Sequence, residues 1–362
     1  MRILIDINHP AHVHYFRNFI KLMEAKGHEF CVINRDSEMI NQLLDYYGIA
    51  HVIRNKRPKK KGVLPSLMNL AWMTMCCIRK SFSFHPDMYV GFASSACAIT
   101  SWLFRKSCIL MDDTEHNSLN HKIYLPACSA VLTPFYFSKD LQPGCKKSKQ
   151  VRFDAYVEQL YLHSDFYHPN DNVLKELSVE PHGYAIVRYI AYDAHHDLAV
   201  HPLDAEAKKE IVVELSKYCR VFVSLEEGGC DPFYEPYALN ISPEKMHDLE
   251  ANAKLMVTEG ATMASESFIH GVPYIYLNPL KCGNIDYQCD HYPDRAFQST
   301  DVKEVINAIG RIVDTSFDAE NARNEAETQT INPTRFLEWF VENYQSSKHI
   351  MGMNPGYQYN FR

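Results

Sequence analysis

No Cys-x-x-Cys pair occurs among the eleven cysteines of this 362-residue chain, so the spacing of a zinc site or a redox dithiol is missing. Free thiols in a reducing cytoplasm are the expectation. The opening Met1-Arg2-Ile3-Leu4-Ile5 lacks the layout of a signal peptide. Long apolar runs are also absent: the longest region, Val63 to Ile78, is broken by Pro65, Ser66 and Asn69 and falls short of the roughly 20 residues of a membrane-spanning helix. Nor is there an excess of positive charge, since 37 Lys+Arg against 44 Asp+Glu leave −7, which argues against a nucleic-acid partner. What is present, 46% hydrophobic and 22% charged residues, suits a folded globular chain and excludes wholesale disorder, collagen and coiled coil. At roughly 150 residues per domain the length suggests two domains.

Apolar patterning divides the chain into two halves of the same kind. Arg2 to Ile7 reads as a buried parallel strand, Asn8 to Ala11 as a loop, and Val13 to Lys26 as a helix stopped by Gly27. Strands at His28 to Ile33 and His51 to Ile53 flank a helix at Ser37 to Tyr47. A helix from about Leu64 to Lys80, a small-residue helix at Ala93 to Phe104, and strands at Ser107 to Met111 and Ala130 to Thr133 complete a Rossmann-like half. A polar stretch from Gln142 to Gln150 and an irregular segment follow. Strands then recur at Tyr184 to Tyr189, Val221 to Ser224, Leu255 to Thr258 and Tyr274 to Leu277, with helices between them. The expected fold is α/β: two Rossmann-like doubly wound parallel-sheet domains facing a central cleft, over 1–165 and 166–335. Residues 336–362 form a helix and tail that either pack back on the first domain or stay mobile. A ligand is expected at the carboxyl ends of the strands.

The densest constellation is Val257-Thr-Glu-Gly-Ala-Thr-Met-Ala-Ser-Glu266, followed by His270-Gly-Val-Pro273. It places a small-residue turn between a strand and a helix, where exposed amides suit a diphosphate. Glu266 lies one helical turn beyond Gly260, Ala261 and Thr262, a position from which a carboxylate accepts both hydroxyls of a ribose. The competing reading is an ordinary strand-to-helix turn.

With Pro279 and Asp286-Tyr-Gln288 downstream, this segment resembles the donor site of B-type glycosyltransferases, the peptidoglycan N-acetylglucosaminyltransferases in particular, and of the non-hydrolysing UDP-N-acetylglucosamine 2-epimerases. The resemblance implies Gly260, Ala261 and Thr262 for phosphate, Glu266 for ribose, and Asp286 and Gln288 on the substrate. Ala261 and Thr262 stand where glycines are frequent in those families. Ile5-Asp-Ile-Asn-His-Pro-Ala-His-Val-His14, Ile186 to Asp197, Ile241 to His247 and Glu259 to Glu266 resemble domain-of-unknown-function family 354, for which a glycosyltransferase-like fold is expected. The implied donor is a nucleoside-diphosphate sugar, a UDP-sugar first, with no further cofactor. The first domain would then serve the acceptor and the second the nucleotide sugar. No metal is implied, because helix dipoles and basic side chains offset the diphosphate charge.

His9, His12 and His14 cluster after the first strand, and His12 is the leading general base, in the place of the Gly-His loop of the peptidoglycan enzymes. Helix capping is the bland alternative. Asp6 ends that strand, and Asp112-Asp113-Thr-Glu115 follows another, so carboxylates are expected to converge for proton transfer or sugar binding. Asp113 and Glu115 join His12 as catalytic candidates, although Asp113 or Thr114 would also cap a helix. Arg188 ends the first strand of the second half, suited to a phosphate or to an ion pair with Asp193 or Asp197. His195 and His196 follow it as substrate candidates. Arg54-Asn-Lys-Arg-Pro-Lys-Lys-Lys61, ahead of an apolar helix, is either a solvated loop or, over 54–80, a peripheral contact with the inner face of the cell membrane. The expectation is thus a cytoplasmic glycosyltransferase with a glycan or lipid-linked acceptor. The alternatives are a nucleotide-sugar 2-epimerase, hydrolysing or not, and a non-catalytic nucleotide-sugar-binding protein.

Overall fold

Ile3, Leu4, Ile5 and Ile7 lose all contact with solvent in β1 (Arg2–Ile7), as an apolar run does inside a parallel sheet covered on both faces. In the computed structural model, which describes residues 1–54, 62–144, 148–190, 203–225, 231–315 and 317–362, the chain forms two units, Met1–His163 with Thr330–Arg362 and Ser164–Gln329.

In the first unit, β1 is followed by α1 (Pro10–Ala25), β2 (Glu29–Arg35), α2 (Glu38–Tyr46), β3 (His51–Arg54), α3 (Val63–Phe84), β4 (Met88–Phe92), α4 (Ser95–Leu103), β5 (Ser107–Met111), α5 (Ser118–Ala127), β6 (Ala130–Pro134), β7 (Gln150–Phe153) and the short α6 (Gln159–Leu162). The strands run parallel in the order β3-β2-β1-β4-β5-β6-β7. The order reverses between β1 and β4, the point where doubly wound sheets open a crevice. The sequence reading places no strand at 150–153. Only Val151 and Phe153 point inward there, too short a run to register as periodicity.

The second unit runs α7 (Asn172–Leu177), β8 (Tyr184–Tyr189), α8 (Ala205–Leu215), β9 (Arg220–Leu225), α9 (Met246–Ala251), β10 (Leu255–Thr258), α10 (Ala261–Ile269), β11 (Tyr274–Tyr276), α11 (Gly283–His291), β12 (Ala296–Gln298), α12 (Val302–Val313) and α13 (Ala319–Gln329). Its parallel order is β12-β11-β10-β8-β9, reversing between β8 and β10. At Gly271 (φ +75) the chain leaves α10 so close to α13 that a Cβ would sit 2.1 Å from the Ala319 carbonyl oxygen. Only glycine fits both constraints.

The chain re-enters the first unit at Thr330, ahead of the expected 336. The reason is that α14 (Pro333–Glu342) packs as a whole: Phe336, Leu337, Phe340 and Val341 are buried, and Lys26 at the end of α1 pairs with Glu338 at 2.8 Å and Glu342 at 2.7 Å. After α15 (Ser346–Met353) the tail is seated rather than loose. Tyr357 stacks on Trp339, Gln358 accepts from the Asp154 amide, and the Phe361 carbonyl accepts from Asn332 N–H.

Asp6, expected on the substrate, belongs to the interior instead. It is wholly buried and accepts from Arg54 Nη1 at 2.5 Å, Ser94 Oγ at 2.7 Å and Asn8 Nδ2 at 2.7 Å. Arg54 also donates to Asn8 Oδ1, so the first member of the basic run is an internal ion-pair partner and no part of a surface patch. Residues 55–61, the rest of that run, lie outside the described residues.

Asp6→Ala removes one partner of a buried ion pair and should cost about 3–5 kcal/mol, read from the denaturant midpoint. Gly271→Ala should cost about 2 kcal/mol or more through backbone strain and collision. An unchanged midpoint in either variant would contradict the packing described.

Candidate functional site

The reversal of strand order in the first unit brings the ends of β1 and β4 side by side. His9 caps α1, its Nδ1 accepting from Ala11 N–H at 3.2 Å, while Pro10 supplies the preset φ of a first helical residue. One turn on, His12 lies against Phe92 with ring centroids 5.1 Å apart and stacks on Tyr15 at 6.0 Å. Asn8 N–H points at His12 Nδ1 (3.4 Å), so the neutral ring carries its proton on Nε2. Burial, then the nearby His9, hold its pKa well below the usual histidine range. His12 is therefore an uncharged hydrogen-bond donor at neutral pH. Beyond Phe92, Ala93 is held at φ 44, a left-handed conformation uncommon for alanine. Its carbonyl accepts from Asn120 Nδ2 at 2.8 Å, and Ser94 then caps α4.

His14 faces elsewhere. It is buried between Tyr47 and Tyr161, with Arg17 Nη1 3.1 Å from its Nδ1. The alternation of a helix sends residues two apart to different sides, so three histidines close in sequence form no single cluster.

Carboxylates after β5 divide by partner. Asp112 is wholly buried, accepting from Tyr124 Oη at 2.6 Å and Thr114 N–H at 2.9 Å, with His121 Nε2 at 3.2 Å. Glu115 braces a neighbouring loop, accepting from Ser138 N–H at 3.0 Å and Ser138 Oγ at 3.3 Å. That engagement weakens its claim as a base. Asp113 accepts from Thr114 Oγ1 at 3.0 Å, and burial, followed by the charge of Asp112, raises its carboxyl to about 7. A carboxyl with that pKa exchanges protons at neutral pH.

In the second unit the same logic places Arg188 at the end of β8 directly beside Thr258 of β10. Arg188 Nη1 donates to Ser224 Oγ of β9 at 2.6 Å. Glu259 anchors the turn between β10 and α10: wholly buried, it pairs with Lys208 Nζ at 2.7 Å and accepts from Ile190 N–H at 2.9 Å. Gly260 N–H is taken by Thr258 Oγ1 at 2.9 Å. Gly260, Ala261 and Thr262 are partly exposed at the start of α10. Nothing in the chain itself demands glycine at 260, where φ is −98 and a Cβ would meet only ordinary contacts. One turn along, Glu266 is buried with His247 Nε2 3.1 Å from Oε1. Glu250 is wholly buried nearby, its oxygens without a hydrogen-bond partner among the described residues. Burial, then Glu266, push its pKa well above the usual carboxylate range, so it is protonated. The sequence reading assigned no role to Glu259, His247 or Glu250; the first two stood inside quoted segments, whereas Glu250 carries no local signal.

Gln288 departs from its expected role on the substrate. It is wholly buried, accepting from Tyr274 Oη at 2.8 Å and donating to Ser265 Oγ at 3.2 Å, because α11 turns Asn284, Ile285 and Gln288 inward. Asp286, on another face, stands 3.4 Å from Lys281 Nζ. His195, His196 and the Asp193 and Asp197 alternatives for Arg188 lie outside the described residues. Among the described residues, Asp6, Cys77 and Cys97 form a buried group with metal-ligand chemistry. Asp6 is already engaged there, and a hydrogen bond with Cys97, then burial, push the Cys77 thiol well up, disfavouring the thiolate that a metal needs.

Residues 1–335 match the family described as a protein of unknown function, DUF354. An uncharacterized protein of Methanocaldococcus jannaschii is 23% identical over 318 residues, 84% of this chain and 89% of that protein. Among solved structures, the chain is similar to UDP-GlcNAc 2-epimerase from Neisseria meningitidis bound to UDP-GlcNAc, with TM-score 0.67 and 10% identity over 95% of this chain and 100% of that one. It is also similar to the spinosyn rhamnosyltransferase SpnG complexed with spinosyn aglycone, with TM-score 0.61 and 11% identity over 95% and 100%. Both likenesses are of fold: two parallel-sheet α/β units of the B-type glycosyltransferase and epimerase kind.

A raised carboxyl pKa means that the folded state holds a proton the unfolded state has released. Stability contributed at Asp113 should therefore fall as pH rises from about 4 to about 7. Asp113→Asn should gain on the wild type across that interval and hold a constant advantage above it, in thermal melts taken against pH. A difference independent of pH would remove the assignment.

Proposed function

The chain belongs to the DUF354 family, and on that premise we propose that it is a glycosyltransferase, moving a sugar from a nucleoside-diphosphate sugar to an acceptor hydroxyl in surface-glycan or glycolipid synthesis. The observation that carries this reading is the register at the reversal point of the second sheet, which sets Arg188 of β8 beside Thr258, two residues ahead of the partly exposed amino-terminus of α10. Helix amides and a guanidinium together suit a diphosphate. In this reading the amides of Ala261 and Thr262 hold the phosphates, with Gly260, whose own N–H is taken by Thr258, setting the turn, and Glu266, fixed by His247, takes the ribose hydroxyls. Arg188 stabilises the departing nucleoside diphosphate as its charge develops. The helix dipole and Arg188 offset that charge without a divalent ion. A UDP-sugar is the first donor to try, given the UDP-GlcNAc bound by the Neisseria epimerase.

The first unit supplies the proton chemistry. Asp113, with its pKa raised to about 7, is the base that takes the acceptor proton as the glycosidic bond forms. His12 contributes its Nε2 proton as a donor, a revision of its expected role as base that follows from the Asn8 amide at Nδ1. Glu115 is left a bracing role by Ser138.

A nucleotide-sugar 2-epimerase is the second reading, favoured by the likeness to the Neisseria enzyme and by a carboxyl poised for proton exchange. Product analysis separates the two. A transferase releases nucleoside diphosphate from a UDP-sugar only when acceptor is present, with EDTA making no difference; an epimerase returns the nucleotide sugar with its sugar inverted at one carbon and needs no acceptor.

Thermal shift should show the chain stabilised by one class of nucleoside diphosphate and by its sugar conjugates, through preferential binding to the folded state. Glu266→Ala should abolish that shift. Asp113→Asn should retain it while lowering turnover about 10²–10⁴-fold. No shift with any nucleotide would overturn the assignment of the second unit.

A further inference from the structure

Helix α3 leaves a side chain stripe that its own unit does not cover. Thr74, Cys77 and Ser81 are buried, and this face meets the sheet through Tyr89, whose hydroxyl donates to Ser81 Oγ at 2.7 Å. Leu64, Leu67, Met68, Met75 and Phe82 are exposed instead, Leu64 by 70% and Phe82 by 68%. Their spacing of i, i+3, i+4, i+11 and i+18 sets all five on one face of the helix. Scattered apolar residues on a surface are ordinary, but an aligned row along a 22-residue helix is an interaction surface.

Charge states what it meets. From Arg54 to Pro86 the chain has no aspartate or glutamate and eight lysines and arginines, in a protein whose net charge is −7. Arg54 is spent on Asp6; Lys56, Arg57, Lys59, Lys60 and Lys61 directly precede the helix in sequence, and Arg79 and Lys80 lie within it. Among the described residues no helix is long and apolar enough to cross a membrane. A row of leucine, methionine and phenylalanine on a helix that a basic run precedes in sequence is the pattern of a helix that lies in the interface of an anionic bilayer, the apolar row among the acyl chains.

We propose that α3 docks this protein, in the plane of the membrane, on the surface of a bilayer containing anionic lipid. Such docking is independent of the nucleotide chemistry proposed above and would bring the protein to lipid-borne substrates.

The test is flotation of the full chain with vesicles of phosphatidylcholine alone and of phosphatidylcholine with an equal share of phosphatidylglycerol. The expected result is binding to the anionic vesicles about tenfold above the neutral ones, weakened by added salt. The variant Leu64→Ser, Leu67→Ser, Met75→Ser should lose it with no fall in melting temperature, since all three positions are exposed. Lys59→Gln, Lys60→Gln, Lys61→Gln should lose the preference for anionic lipid. No flotation with either vesicle, equal flotation with both, or a dimer in sedimentation that the apolar variant dissociates would each overturn the proposal, the last by making a second copy the occupant. None of these readouts uses a nucleotide, so failure here leaves the donor-site reading standing and the reverse also holds.

Discussion

The buried ion pair of Asp6 and Arg54 is the constraint around which the first unit is arranged. Asp6 sits near the end of β1, Arg54 at the end of the edge strand β3 two strands away, and Ser94 at the start of α4 on the other side. A charged pair without solvent persists only where its hydrogen-bonding capacity is met. The pair therefore pins the carboxyl ends of β1 and β3 and the turn after β4 in one geometry. The helix bearing His12 and the strained Ala93 both follow from those ends. Their positions follow from a buried interaction set behind them.

Both units place candidate residues where strand order reverses. In the first, β1 and β4 diverge into α1 and α4 on opposite faces, and His12 meets Phe92 in the opening. In the second, β8 and β10 do the same, and Arg188 stands beside the turn into α10. The reversal leaves the strand ends uncovered. Buried partners just behind each opening, Asp6 in one and Glu259 with Lys208 in the other, hold the turns rigid. A turn that must present amides to a ligand loses less entropy on binding when it is already fixed.

Much of the fold was legible in the sequence because parallel strands and covering helices leave strong signals. Ile3-Leu-Ile5 and Leu255-Met-Val257 are continuous apolar runs, and α1 repeats Val13, Phe16, Phe19, Ile20 and Met23 on its buried side. Short edge strands such as β7 and β12 were silent for want of length. The candidate site was legible only as a set of residue types near strand ends. Asp6, Asp112, Asp113 and Glu115 look alike in sequence, yet Arg54, Tyr124 and Ser138 claim three of them. Partial burial beside the charge of Asp112 leaves Asp113 titrating at about 7.

The sequence by itself determined the alternation of strands and helices, the division into two halves, the helix-capping turns and the strand-to-helix motif at 257–266, because these depend on neighbours along the chain. Tertiary structure alone decided which polar groups are structural and which are available. Gln288 became an internal bridge, His14 a packing residue and Arg54 a buried counter-ion through contacts with segments far away in sequence. Such contacts set desolvation and local charge, and through them the protonation state that distinguishes a bracing carboxylate from one that titrates near neutrality.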